Sequence, residues 1–113
     1  MIKTEFGIID HFDSDGDYYV DSSIKLIYID DDKYINDWWN KLLIMKTFFH
    51  NLNNPAQALD RWGVTIIPPE SLPIFQEIVL SDKRIKSDSH LIELANLIDL
   101  AINQNKYMIH YGV

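Results

Sequence analysis

Four aspartates near the N-terminus could bind a calcium ion. They follow one another closely as Asp13, Asp15, Asp17 and Asp21. Hard cations prefer several carboxylate oxygens, and Gly16 could supply the sharp turn of a binding loop. The EF-hand spacing fails, because placing Gly16 at the sixth loop position puts His11 first and Ser22 twelfth. We therefore predict a solvated turn without a metal, while weak cation binding there stays open.

A second acidic motif could position Mg²⁺ in a nuclease. Asp31-Asp32-Lys33 follows a predicted strand, and Asp21 lies upstream. One large nuclease class holds its metal and general base with an acid-x-Lys motif of this kind. A nuclease also needs a basic surface for phosphates, whereas this segment belongs to the most acidic part of the chain. A small metal-dependent nuclease is therefore kept as an alternative only.

The sequence offers no other catalytic constellation. The four histidines form no pair at helical spacing and there is no cysteine, so a zinc site is not expected. There is no Gly-x-Ser-x-Gly elbow, and the four glycines are isolated from one another. We predict that the protein is not an enzyme and uses no cofactor.

The net charge of the chain is concentrated in one segment. Between Asp10 and Asp37 there are nine aspartates and two lysines, a balance equal to the formal charge of −7 for the whole protein. Unpaired carboxylates are costly to bury, so we expect most of them to face water and to form one exposed patch. Such a surface attracts a basic protein and repels nucleic acid and anionic lipid.

Two adjacent tryptophans lie at the end of this acidic segment. Neighbours on a helix point about 100° apart, so Trp38 and Trp39 cannot face the same way. One ring is expected in the core and the other at the margin, although both could fill the core. An aromatic ring among carboxylates suits contacts with Arg and Lys. The predicted partner-binding residues are Asp13, Asp15, Asp17, Asp21, Asp30, Asp31, Asp32, Asp37, Trp38 and Trp39.

A β-hairpin is the first element that must position these residues. The strand over residues 2–12 has one predicted face, formed by Ile2, Thr4, Phe6, Ile8 and Phe12. Residues 13–16 indicate a type I turn that ends in glycine. A return strand over residues 17–29 also has one predicted face, formed by Tyr18, Val20, Ile24, Leu26 and Tyr28.

Helices and two short strands follow the hairpin. Apolar residues at helical spacing predict a helix over residues 33–51, capped by one of the three aspartates at 30–32. A buried strand is predicted over residues 62–67, then a helix with Ser71 as its N-cap. A third helix is predicted from Asp88 or Ser89 to about residue 105, and a last strand over residues 107–111.

The predicted order ββαβααβ indicates an α+β fold. The N-terminal hairpin and two short strands would form a small mixed sheet covered by about three helices. The length predicts a single domain over residues 1–113. The lack of cysteine and of an apolar leader predicts a cytoplasmic protein, and no apolar run approaches the length of a membrane span.

Two segments resemble the small acidic immunity proteins of bacterial polymorphic and contact-dependent toxin systems. They are the aspartate-rich residues 13–37 and the passage Trp62-Gly63-Val64-Thr65-Ile66-Ile67-Pro68-Pro69-Glu70-Ser71-Leu72. The passage is similar to strand–Pro-Pro–helix segments of several such families. The resemblance is at class level over the whole chain. It implies a cognate toxin as partner, a cytoplasmic location and no catalysis, and it transfers no functional residue.

The resulting prediction is a binding protein that neutralises a basic partner, such as a nuclease toxin, through its acidic surface. The alternative is a DNA mimic that blocks a DNA-binding protein, because its acidic surface would attract a basic protein in the same way. Reversing the charge of Asp15, Asp17 and Asp31 together, each to lysine, is expected to slow association and to leave the fold intact.

Overall fold

The first strand organises a seven-stranded sheet in which every paired neighbour is antiparallel. The computed structural model describes residues 1–113. Its strands are β1 (Lys3–Phe12), β2 (Tyr18–Val20), β3 (Ile27–Asp30), β4 (Lys46–Phe49), β5 (Pro55–Gln57), β6 (Val64–Ile67) and β7 (Met108–Tyr111). They lie in the order β2-β1-β7-β6-β4-β5, and β3 pairs with the half of β1 that β2 leaves free.

Three helices cover one face of this sheet and form the main core with it. They are α1 (Asn36–Leu42), α2 (Leu72–Ser81) and α3 (Ser89–Gln104), preceded by a π-turn (Asp31–Ile35) and by 3-10 turns (Pro69–Ser71 and Lys83–Lys86). Phe6 of β1 packs on Phe75 of α2 with ring centroids 5.3 Å apart. Each large apolar side chain buried in this core contributes about 1.5–3 kcal/mol.

The predicted α+β class and the order of the elements are confirmed, but the sheet is larger than expected and is antiparallel throughout rather than mixed. Three of its seven strands were not predicted as separate strands, because β4 and β5 lie in segments assigned to helix and connector and the return strand is divided in two. No helix of the chain has both the length and the apolar character needed to cross a membrane.

The predicted helix over residues 33–51 is wrong in its second half. Helix α1 ends at Leu42, Met45 is fully buried, and Lys46–Phe49 form β4. Phe48 pairs with Ile66, and the Thr47 hydroxyl donates to the Ala58 carbonyl at 2.8 Å. Aromatic and β-branched residues fit a pleated surface, so sheet pairing overrides a helical period that the sequence also carries.

The predicted faces of the hairpin are correct only in part. A β-bulge between Ile9 and His11 moves Phe12 to the opposite face of the sheet from Phe6. In β3 the buried residues are Ile27 and Ile29, rather than the predicted Leu26 and Tyr28. The loop over residues 21–26 breaks the return strand and thereby shifts its side-chain alternation.

Two of the predicted caps are confirmed and one is wrong. Asp30 accepts a hydrogen bond from the Lys33 amide at 3.2 Å, and Asp88 accepts one from the His90 amide at 2.9 Å. Ser71 makes no cap bond, because its hydroxyl donates to the Lys46 carbonyl at 2.6 Å. This bond ties the start of α2 to β4.

The sheet has a second apolar cluster on the face away from the helices. Ile9, Ile66 and Ile109 are buried there. Half-buried side chains surround them, namely Phe12, Tyr18, Val20, Phe48, Leu52, Val64, Tyr107 and Tyr111. Strand and loop residues alone form this cluster, so no helix covers this face, and its own aromatic and aliphatic side chains shield the three isoleucines.

A buried histidine joins three strands in the core. His110 Nε2 lies 2.5 Å from Thr4 Oγ1, which donates to the Tyr111 carbonyl. His110 Nδ1 lies 3.3 Å from Thr65 Oγ1, which accepts from the Asp60 amide. These directions assign a neutral ring that donates from Nε2 and accepts at Nδ1. Burial lowers the pKa of His110 from 6.5 to about 3.

Candidate functional site

The nine aspartates do not form the single patch that the sequence predicted. Asp30 pairs with Lys3 at the first residue of β1, and the Asp13–Asp17 turn begins after Phe12 at its last residue. A ten-residue strand spans about 30 Å. The aspartates at 13–17 and those at 30–32 therefore lie at opposite ends of β1, and Asp10 and Asp21 lie between them.

The aspartates at the hairpin tip are partly used by the turn itself. Asp13 accepts hydrogen bonds from the amides of Asp15 and Asp17, at 2.9 and 3.0 Å. The Tyr19 hydroxyl also donates to Asp13 and, with these amides, lowers the pKa of its carboxyl. Gly16 has a φ of 87° and donates its amide to the Asp13 carbonyl, which confirms the predicted turn. Asp15 and Asp17 are left exposed.

The nuclease arrangement does not form. The Asp21 amide donates to Ile8 of β1, and the Asp31 amide donates to Ile2. These positions are six residues apart along an extended chain, or about 20 Å. Magnesium ligands lie near 2 Å from the ion, so Asp21 and Asp31 cannot share one. Asp21 instead accepts bonds from the amide and hydroxyl of Ser23.

Asp37 and Trp38 belong to a network that joins α1 to the turn before α3. Arg84 pairs with Asp37 at 3.0 Å and with Asp82 at 2.7 Å. The Trp38 ring is 3% exposed, and its Nε1 donates to Asp82 at 2.9 Å. The Arg84 guanidinium holds the pKa of the Asp82 carboxyl well below its usual range. Within the folded protein this network holds two of the predicted contact residues in place.

We expect Trp38→Phe to lower the free energy of unfolding by about 1–2 kcal/mol. The ring remains, but Asp82 loses a donor in a partly buried site. Urea unfolding followed by circular dichroism measures the change. Trp39→Phe is the matched control, because Trp39 is half-buried and the Arg61 guanidinium, which lies 5.8 Å from its ring, would still face an aromatic ring. Equal losses for the two variants would contradict the assigned role of the Asp82 bond.

Asp31 is buried in an ion pair that the sequence did not predict. It is 2% exposed, and its Oδ2 lies 2.5 Å from Arg61 Nη2. Arg61 Nη1 donates to Asn36 Oδ1, also at 2.5 Å. The other oxygen, Asp31 Oδ1, is buried and has no hydrogen-bond partner. The adjacent Asp32 is exposed and pairs with no cation.

A cleft opens beside this ion pair, and we call it the Trp62 cleft. It has a volume of about 400 Å³. Its walls are Ile2, Asp31, Asp32, Asn36, Arg61, Trp62 and Val113. Trp62 is 80% exposed, which corrects its predicted place in a buried strand. The β-strand begins two residues later, at Val64.

The loop that carries Trp62 is fixed by backbone contacts. Gly112 donates its amide to the Gly63 carbonyl at 2.8 Å, and Val113 donates to the Arg61 carbonyl at 2.7 Å. A Cβ on Gly112 would lie 2.4 Å from that same Arg61 oxygen, so only glycine permits this approach. The exposed indole is therefore held on a rigid loop.

The signals for this site were present in the sequence in weak form. Gly63 after Trp62 favours a turn over a strand interior, and a tryptophan beside Arg61 is a common interface combination. The pairing of Asp31 with Arg61 spans 30 residues, so no local pattern could show it. Of the predicted contact residues, only Asp31 and Asp32 line the cleft.

The chemistry available in the Trp62 cleft is that of binding a cationic group. No three His, Asp or Glu side chains of the chain lie close enough together to hold a metal ion.

A more apolar groove of about 500 Å³ lies between α1 and α2, where Ile44, Ile74 and Ile78 contribute to its walls. That groove contains no buried unpartnered polar atom, so the Trp62 cleft is the stronger candidate.

No protein-family model, curated protein or solved structure matches the chain.

Proposed function

We propose that this chain is a binding protein that neutralises a basic partner protein, and that it acts as an immunity protein against a bacterial toxin such as a nuclease. The observation that carries the proposal is Trp62, which is 80% exposed on a fixed loop beside the exposed carboxylate of Asp32. Large aromatic side chains anchor protein interfaces. A carboxylate next to one favours a cationic partner.

The overall charge supports a basic partner. The formal charge of −7 raises the rate at which a cationic protein meets this one and lowers the rate for nucleic acid and anionic membranes. The free carboxylates of Asp15 and Asp17 extend the negative field to the far end of β1. A cytoplasmic location and the absence of catalysis belong to the same proposal.

The geometry favours this function over a DNA mimic. A mimic needs carboxylates spaced like phosphates along one face, at a few ångströms from each other. Here Asp15 and Asp17 lie about 30 Å from Asp32 along β1, and the aspartates between them serve turns and ion pairs.

The test is co-expression with the protein encoded by the neighbouring gene. If the proposal is correct, the neighbour alone stops the growth of a bacterial host, this chain restores growth, and the two proteins elute as one complex. A neighbour that is not toxic, or a toxic neighbour that this chain neither binds nor neutralises, would refute the immunity function.

We expect Asp32→Lys to slow association with the neutralised partner by roughly three- to tenfold at low salt, because it reverses a charge at the rim of the proposed interface. Stopped-flow association rates at two salt concentrations measure the effect, which should shrink as salt rises. Asp99→Lys on the exposed side of α3 makes the same change in net charge. Equal slowing by both variants would show that only the total charge matters.

A further inference from the structure

Asp31 Oδ1 is a buried acceptor that lacks a donor. The Asp31 side chain is 3% exposed, and its Oδ1 makes no hydrogen bond. Arg61 donates from Nη2 to the other oxygen, Asp31 Oδ2, and from Nη1 to Asn36 Oδ1. Leaving a buried acceptor unpaired costs free energy, more so when the group is charged. Asp31 lines the Trp62 cleft, so this unpaired acceptor belongs to the cleft wall, although the oxygen itself is closed to solvent in the free protein.

The charges of the cleft select a cation as that donor. Arg61 balances one carboxylate, that of Asp31, and the exposed carboxylate of Asp32 has no counterion. The indole of Trp62 forms another part of the wall, and its exposed π face attracts a cation. The residues that carry the unpaired acceptor, the uncompensated negative charge and the aromatic face thus line one cleft of about 400 Å³.

We propose that the Trp62 cleft receives an arginine side chain of the basic partner, stacked on Trp62 and hydrogen-bonded to Asp32 and Asp31 Oδ1. This inference rests on the proposed function and names the contact at its centre. Guanidinium is planar, stacks on indole and donates from several N–H groups in a fixed plane, so it can reach two acceptors at once. An ammonium group is a compact point charge that does not stack in this way. Because Oδ1 is closed to solvent in the free protein, side chains of the cleft must shift to complete the second bond.

The test is an NMR titration of the full chain with N-acetyl-arginine amide, and with N-acetyl-lysine amide as a probe of equal charge. The side-chain amide of Asn36, which lines the cleft, is the reporter. We expect saturable shifts with the arginine probe and at least tenfold weaker binding of the lysine probe.

Variants locate the binding. Asp32→Asn and Trp62→Ala should each weaken arginine binding at least fivefold, while Asp99→Asn, which removes an equal charge from α3, should leave it unchanged. Lysine binding as tight as arginine would overturn the arginine assignment. Shifts that do not saturate, or that Asp32→Asn and Trp62→Ala leave unchanged, would overturn the site.

The two proposals fail in different ways. Neutralisation of the neighbouring toxin without arginine binding would discard the cleft contact and keep the immunity function. Arginine binding without neutralisation would keep the guanidinium site and discard the immunity function.

Discussion

Asp31→Lys is expected to lower the free energy of unfolding by about 3 kcal/mol or more. The change places a second cation against Arg61, inside a site where the native carboxylate is 2% exposed. Removing one partner of a buried ion pair costs about 3–5 kcal/mol because the other charge is left unpaired. Arg61 is one-fifth exposed, which places the expected loss at the lower end. The melting temperature should fall by about 10 °C or more.

The neighbouring residue provides the control for this prediction. Asp32→Lys makes the same chemical change one residue away, on an exposed side chain without a partner, and should alter stability by less than about 0.5 kcal/mol. Thermal and urea unfolding of both variants measure the difference. If the two variants melt together, the Asp31–Arg61 pair does not stabilise the fold. The sequence alone led us to expect that Asp31 could be changed to lysine, together with Asp15 and Asp17, without harm to the fold. The buried ion pair with Arg61 replaces that expectation with a large loss of stability.

The second large effect is a loss of stability in mild acid caused by His110. Its pKa is about 3 in the folded protein and 6.5 as a free side chain. Between these values the unfolded chain binds a proton that the folded chain excludes, so stability is complete above pH 6.5 and falls as the pH is lowered. At 1.36 kcal/mol for each pH unit, the loss by pH 5 is about 2 kcal/mol.

Denaturant unfolding at pH 7.5 and pH 5 measures this loss. His110→Gln should be less stable at pH 7.5 but should lose much less stability between the two pH values, because glutamine does not titrate. His50→Gln is the control, since His50 is exposed outside the core. The choice of pH 5 keeps the measurement above the range in which the carboxyls of Asp82 and Asp10 titrate. An unchanged pH dependence in His110→Gln would show that another group controls acid stability.

Sequence reasoning succeeded where one local signal was strong and nothing distant opposed it. Helix α3 has both a continuous apolar stripe and an aspartate cap at Asp88, and it forms as predicted. The hairpin turn needed a residue with positive φ, and Gly16 was the clear choice. In both places the local free energy and the tertiary packing favour the same structure.

The errors arose where distant residues decide the outcome. The KTFF segment of β4 continues a helical apolar period, but its partners in β6 are distant in sequence, since Phe48 pairs with Ile66 and Phe49 with Thr65. Nothing in the sequence around Asp31 distinguishes it from the solvated aspartates, because its burial depends on the distant Arg61. The candidate cleft depends on that pair, so the sequence could name two of its residues but not the site.

The outer edge of the sheet has a consequence for self-association. Thr47 and Phe49 of β4 form hydrogen-bonded pairs with the chain segment that contains β5. Phe48 lies between them, so its partner Pro55 directs its backbone nitrogen away from β4, toward the outer edge of the sheet. Proline has no amide hydrogen to offer there, and β5 is only three residues long. A strand from another molecule could pair here only with a short edge strand that lacks one amide donor, that of Pro55. This boundary should protect concentrated solutions of the protein from fibril growth at that side.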